Sequence, residues 1–235
     1  NEDKNDQVSQ EVVRGLRTLQ DKRQDEGPDG SGVASVLNVV GTLLFHQGDF
    51  EHALVFFQEE LRLEERDEAS GPVFHPDNTT SSSVTCNNIG RILQELGRLK
   101  ESIFYYERSL KAWQRNASRD CCLLTKKVIS EENSAALNLY STVWYNLGLI
   151  YDKLGDHDEA ILAFQMSLEL RKEIFGPNHP DIACLLYNIG VLQMEKESLD
   201  DAAASLEHAI RIRQVGGSGE LSDHHFVKTL EKLAS

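Results

Sequence analysis

The chain has 235 residues, enough for one or two ordinary domains, and its 26% charged and 40% hydrophobic residues are those of a folded globular protein. A net charge of −14 argues against a nucleic-acid partner, because phosphate binding needs clustered Lys and Arg. No apolar run approaches the roughly 18 residues of a membrane span, so no membrane insertion is expected.

In chain order, the first amphipathic segment is residues 7–24, followed by Gly27-Pro28-Asp29. A hairpin of two helices is then expected over residues 33–68. It carries Gly41, and after it Gly48, Ala53 and Phe57. A stretch rich in Gly, Pro, Ser and Thr near residues 69–83 leads to a second hairpin, 82–115, with Gly90, Gly97, Ser102 and Tyr106 at the same offsets. Residues 116–132 are polar, have no clear period and read as an inserted loop. Arg115, Arg119, Lys126 and Lys127 make this stretch locally basic. A third hairpin, 134–175, holds Gly148, Gly155, Ala160 and Phe164. The fourth, 180–214, holds Gly190, Ala202 and Leu206, with Glu197 where a Gly is expected. Residues 222–234 read as a polar capping helix, of the kind a stack of repeats needs at its end.

Gly148 serves as the ruler. Gly190, Ala202 and Leu206 each follow Gly148, Ala160 and Phe164 by 42 residues. The marker Gly has no side chain, so a second helix can lie close against the first. The small residue twelve on and the large one sixteen on fill that contact. The Gly seven on ends the first helix as a left-handed cap. Gly27 precedes Gly41 by the same 14 residues that separate Gly176 from Gly190. Residues 7–24 therefore align with the second helix of an upstream hairpin, and the chain, beginning at Asn1, is expected to come from a longer array. The His in Gly176-Pro177-Asn178-His179-Pro180-Asp181 reads as a turn residue, with Pro180 suited to a first helical turn.

The run Trp144-x-x-Leu147-Gly148-x-x-Tyr151, followed by Ala160-x-x-x-Phe164, resembles the tetratricopeptide repeat. The 42-residue period, the Tyr-Asn-x-Gly start and the Gly-Pro-x-His-Pro-Asp connection look like the kinesin light chain type. Similar repeats occur in sensor arms of signalling ATPases. The resemblance spans about residues 33–214. It implies an all-α fold, a right-handed superhelical α-solenoid of stacked hairpins running the length of the chain. It also implies a concave groove, made by the first helices, that takes a segment of a partner protein.

The sequence offers no catalytic machinery. It has no Gly-x-x-x-x-Gly-Lys phosphate loop and no His-Glu-x-x-His metal helix. His46 and His52 flank a turn without an obvious third ligand, and His224 and His225 are adjacent, pointing to different sides of a helix. Neither a metal nor a cofactor is expected. The cysteines, Cys86, Cys121, Cys122 and Cys184, form no Cys-x-x-Cys pair, which suits a reducing compartment and a cytoplasmic location.

A binding constellation is present. Asn88, Asn146 and Asn188 each stand two residues before a marker Gly. Asn has both a donor and an acceptor and can pair with a peptide backbone whatever its side chains. Asn87, Tyr145 and Tyr187 precede them, Asn38 is the candidate in the first hairpin, and Arg91 and Lys153 add positive charge. The competing structural role for these asparagines is to bond neighbouring helices and hold the stack. An arm of a larger assembly, held by the convex face, the ends or the insertion, is the alternative function.

Overall fold

The computed structural model of the chain describes residues 2–30, 32–70, 81–117 and 131–215. Within them the chain is helical: α1 (Glu2–Glu26), α2 (Val33–Gln47), α3 (Phe50–Ser70), α4 (Ser81–Glu95), α5 (Leu99–Ala117), α6 (Glu131–Leu154), α7 (His157–Phe175), α8 (Pro180–Glu195) and α9 (Leu199–Val215). No strand occurs among the described residues, and no helix there is long and apolar enough to cross a membrane. The chain divides into two compact units, Asn1–Leu124 and Thr125–Ser235, and the division falls inside the segment 116–132. Most of that segment, the connection 71–80 and the expected cap 222–234 lie outside the described residues.

The first unit contains the hairpins α2–α3 and α4–α5, with α1 packed on α2. The second contains α6–α7 and α8–α9. All four hairpins are built the same way. A Cβ at Gly41 would come within 2.9 Å of the Phe57 ring, at Gly90 within 2.8 Å of Tyr106, at Gly148 within 2.6 Å of Phe164, and at Gly190 within 2.8 Å of Leu206. The helices therefore approach to a distance that only a missing side chain permits. Ala53, Ser102, Ala160 and Ala202, twelve residues after each marker, are fully buried. Ser102 replaces the Ala at no polar cost, since its Oγ donates to the Gly90 carbonyl at 2.6 Å.

The turns between paired helices repeat as well. Gly155 N–H donates to Asp152 O at 3.0 Å and Asp156 N–H to Tyr151 O at 2.9 Å. This reciprocal pattern is the Schellman cap. It recurs at Gly48, Gly97 and Glu197, and all four capping residues have positive φ. Glu197, at φ 61°, is the non-glycine residue in that conformation among the described residues. The expected Gly is absent, yet the turn is kept. Between hairpins, His179 caps α8: its Nδ1 accepts from Asp181 N–H at 3.2 Å, Pro180 opens the helix, and the ring stacks on Phe175 at 4.6 Å. Its assignment as a turn residue agrees with this geometry. Cys86 packs in the core of the first unit, whereas Cys184 is exposed on α8.

One packing position differs sharply between repeats. Nineteen residues after the marker Gly stand Glu60, Ser109, Ser167 and Ala209. Ser109 Oγ donates to Ser83 O at 2.7 Å, and Ser167 Oγ to Ser141 O at 2.8 Å. Ala209 is fully buried. Glu60 is only 4% exposed. Its Oε1 accepts from Asn38 Nδ2 on α2 at 2.9 Å, and it is also hydrogen-bonded to Thr85 on α4. Its Oε2 is buried without a hydrogen-bond partner among the described residues. Burial pushes this carboxyl up from 4.5 to about 7, against the smaller opposing pull of Asn38 and Thr85.

Two outcomes follow for stability. Glu197→Gly, which removes the Cβ clash of a left-handed residue, should stabilise the chain by about 1 kcal/mol in urea melts. For Glu60, the folded state holds the proton more tightly than the unfolded chain. Stability is therefore lost as pH rises from about 4.5 to 7, by up to about 3 kcal/mol, and stays low above that. Glu60→Gln should match the wild type below pH 4.5 and exceed it at pH 8; urea melts at both pH values check this, and equal stabilities at pH 8 would refute it.

Candidate partner-binding face

The residues singled out for binding all lie on the first helices of the hairpins. In the first unit Asn38 is on α2, and Asn87, Asn88 and Arg91 are on α4. In the second, Tyr145, Asn146 and Lys153 are on α6, and Tyr187 and Asn188 are on α8. Their surroundings separate them into two kinds.

Several are engaged in packing. Asn38 gives its amide to the buried Glu60. Asn87 is 5% exposed, and its Oδ1 lacks a partner among the described residues, so its side chain points into the protein rather than toward a groove. The Arg91 guanidinium lies 4.9 Å from the Phe45 ring centroid. Tyr145 packs its ring 5.7 Å from that of Phe164, with the Arg171 guanidinium 5.2 Å from it on the other helix of the hairpin. Arg171 in turn donates to Asp181 Oδ2 on α8 at 2.9 Å. Tyr145, Arg171 and Asp181 thus tie α6, α7 and α8 together. Tyr187 is half-buried against the core of the second unit.

Asn88, Asn146 and Asn188 behave differently. Each is partly exposed, and none makes a side-chain hydrogen bond among the described residues. Polar links between paired helices come from other side chains, among them Ser102, Ser109 and Ser167, and the Arg171–Asp181 pair joins α7 to α8 of the next hairpin. The three asparagines therefore leave donor and acceptor unused at a recurrent position of the first helices. Lys153 is exposed, seven residues beyond Asn146 and so on the same side of α6.

Sequence reasoning passed over Glu60 and Arg171. A carboxylate at a position that is Ser or Ala in the other hairpins was the available signal for Glu60. Arg171 gave no such signal, because long basic residues are ordinary on a second helix.

A second surface feature lies on the second helices. Val55, Phe104 and Leu162, each fourteen residues after its marker Gly, are 59%, 58% and 62% exposed. In the first unit α1 adds exposed Val13 and Leu16, and a shallow cavity of about 440 Å³ opens between α1 and α3, edged by Leu16, Val55, Phe56 and the Arg23–Glu59 ion pair.

Comparison with known proteins places this geometry. The tetratricopeptide repeat family matches at residues 84–112 and 139–214. Photosystem I assembly protein Ycf3 of Acaryochloris marina is 37% identical over 71 residues, 30% of this chain and 38% of that protein. A clustered mitochondria protein homolog of Coccidioides immitis is 25% identical over 111 residues, 47% of this chain and 8% of that protein. The matched region thus spans well under half the length of these relatives. Among solved structures, BtubC (BKLC) from P. vanneervenii is similar with a TM-score of 0.66 and 20% identity, over 96% of this chain and 81% of that one. The nearly identical TPR-like repeats of a putative kinesin light chain from Podosopora anserina give 0.63 and 11%, over 91% and 90%. MamA gives 0.57 and 17%, over 86% and 89%. At these identities the structural likeness is one of fold. With the repeated glycine contacts, the two family matches identify tetratricopeptide repeats at residues 84–112 and 139–214 of this chain.

Proposed function

We propose that the chain is a non-enzymatic interaction scaffold that holds a segment of a partner protein against its first helices, in the manner of kinesin light chain repeats. The observation that carries this reading is the free amide at one recurrent position, Asn88 in the first unit and Asn146 and Asn188 in the second. An amide that holds a stack together has a partner within the stack; an amide kept for a ligand backbone does not. The buried core beneath these residues, Ile89, Leu147 and Ile189, fixes the backbone on which they stand. An acidic surface suits a partner segment that is not itself strongly acidic. Cys86 and Cys184 take part in no disulfide among the described residues, which accords with a reducing, cytoplasmic setting.

A second reading rests on the exposed apolar residues of the second helices. There Val55, Phe104 and Leu162 would seat the chain within a larger assembly, leaving the first helices idle.

Two variants separate the readings. Each amide hydrogen bond contributes about 0.5–1.5 kcal/mol net. Asn88, Asn146 and Asn188 changed together to Ala should therefore weaken partner capture about tenfold or more in a quantitative pull-down, with an unchanged thermal melt. Unchanged capture would defeat the groove reading. Val55, Phe104 and Leu162 changed together to Ser should leave capture intact; if capture is lost in this variant alone, the second helices hold the partner.

A further inference from the structure

At one end of the second unit, three metal-ligating side chains from three helices converge. Asp152 is in the last turn of α6, His157 opens α7, and Glu195 closes α8. Their ligand atoms all lie within 4.8 Å of one another, and His157 Nε2 stands 3.5 Å from Glu195 Oε2. We propose that these residues form a site for a divalent transition-metal ion such as Zn²⁺, linking the third and fourth hairpins.

The convergence belongs to the fold and not to a chance placement of long side chains. Asp152 and His157 stand four and nine residues after the third marker Gly, and Glu195 five after the fourth. The corresponding residues of the first unit are Phe45, Phe50 and Glu95. There Phe45 and Phe50 meet edge to face at 5.4 Å. The repeat thus brings the first two of these positions into contact in either unit. The first unit fills them with an aromatic contact, and the second places a carboxylate and an imidazole there.

The backbone under each donor is held before any ion arrives. The Gly155 cap fixes Asp152 and His157, since Gly155 N–H donates to Asp152 O and Asp156 N–H to Tyr151 O. The Glu197 cap does the same beside Glu195, through its N–H to Met194 O at 3.0 Å. Two of the three donors also sit at helix C-termini, where the unpaired carbonyls and the helix dipole favour a cation. Lys196, next to Glu195 in sequence, is drawn to Asp158.

The donor set selects the class of ion. One imidazole nitrogen with two carboxylate oxygens suits Zn²⁺ and its first-row neighbours; an all-oxygen set would suit Mg²⁺ or Ca²⁺, and thiolates would suit Cu⁺. Asp152 and Glu195 are exposed and His157 is partly so, which leaves room for water to complete the coordination.

Isothermal titration of the full chain, freed of metal by chelator, with ZnCl₂ at pH 7.5 tests the site. One ion should bind per site, with little heat from MgCl₂. His157→Ala and Glu195→Gln should each weaken Zn²⁺ binding about tenfold or more while the circular dichroism spectrum is unchanged. A His224→Ala, His225→Ala double variant should bind as the wild type does. Absence of binding by the wild type, or unchanged affinity in His157→Ala, would overturn the proposal, as would loss of binding in the double variant alone.

Discussion

Everything in this chain rests on one contact: a bare glycine backbone against the large side chain sixteen residues further on. At Gly148 and Phe164 the approach is so close that no Cβ fits between them. Because the glycine offers nothing to interdigitate, the second helix settles directly on the first and buries Ala160 and Ser167 beside the contact. The capping residue seven on then has no freedom about where the first helix ends. Each hairpin leaves apolar surface on its flank, and the next hairpin in the same unit covers it, as the shared core of Phe164, Ile182, Leu185 and Ile212 shows. Stability is therefore assembled by nearest neighbours.

The same contact explains which parts of the structure were legible in the sequence. A glycine, a small residue and a large residue at fixed offsets leave a one-dimensional trace of a local contact. Four copies of that trace locate the hairpins among the described residues and the turn inside each. Glu197 broke the trace but not the turn, since the backbone hydrogen bonds from Lys196, Glu197 and Ser198 outweigh the strain of one left-handed side chain. Asn87 was harder. The period says that a residue is on a helix and roughly where it faces, but two residues apart by a third of a turn can differ between buried and open. Asn87 is buried and its neighbour Asn88 is not, although both looked equally eligible.

The candidate binding residues show a further limit. Tyr145 and Arg91 were chosen for chemistry suited to recognition, but aromatic rings and guanidinium groups are also what helices use to brace one another. Arg171 braces Tyr145 and reaches Asp181, joining two hairpins through a residue that no motif marks. Asn88, Asn146 and Asn188 stand apart because their polar groups are not consumed in this way. Repetition in sequence does not distinguish a ladder that holds the stack from one that faces outward; in the structure these three side chains make no hydrogen bond among the described residues.

Glu60 has a consequence for the order of the repeats. Because the turns and glycine contacts are alike, the hairpins look like interchangeable beads. Glu60 is not interchangeable, since it takes an amide from Asn38 behind it and a hydroxyl from Thr85 ahead. Moved elsewhere in the array, the first hairpin would meet a neighbour without that hydroxyl and would carry an unsolvated acid into its core. Shuffling, duplication or deletion of modules at this junction is thus penalised in a way that it is not at the junction lined by Ser167. A single buried carboxyl gives an otherwise uniform string of modules a fixed reading direction.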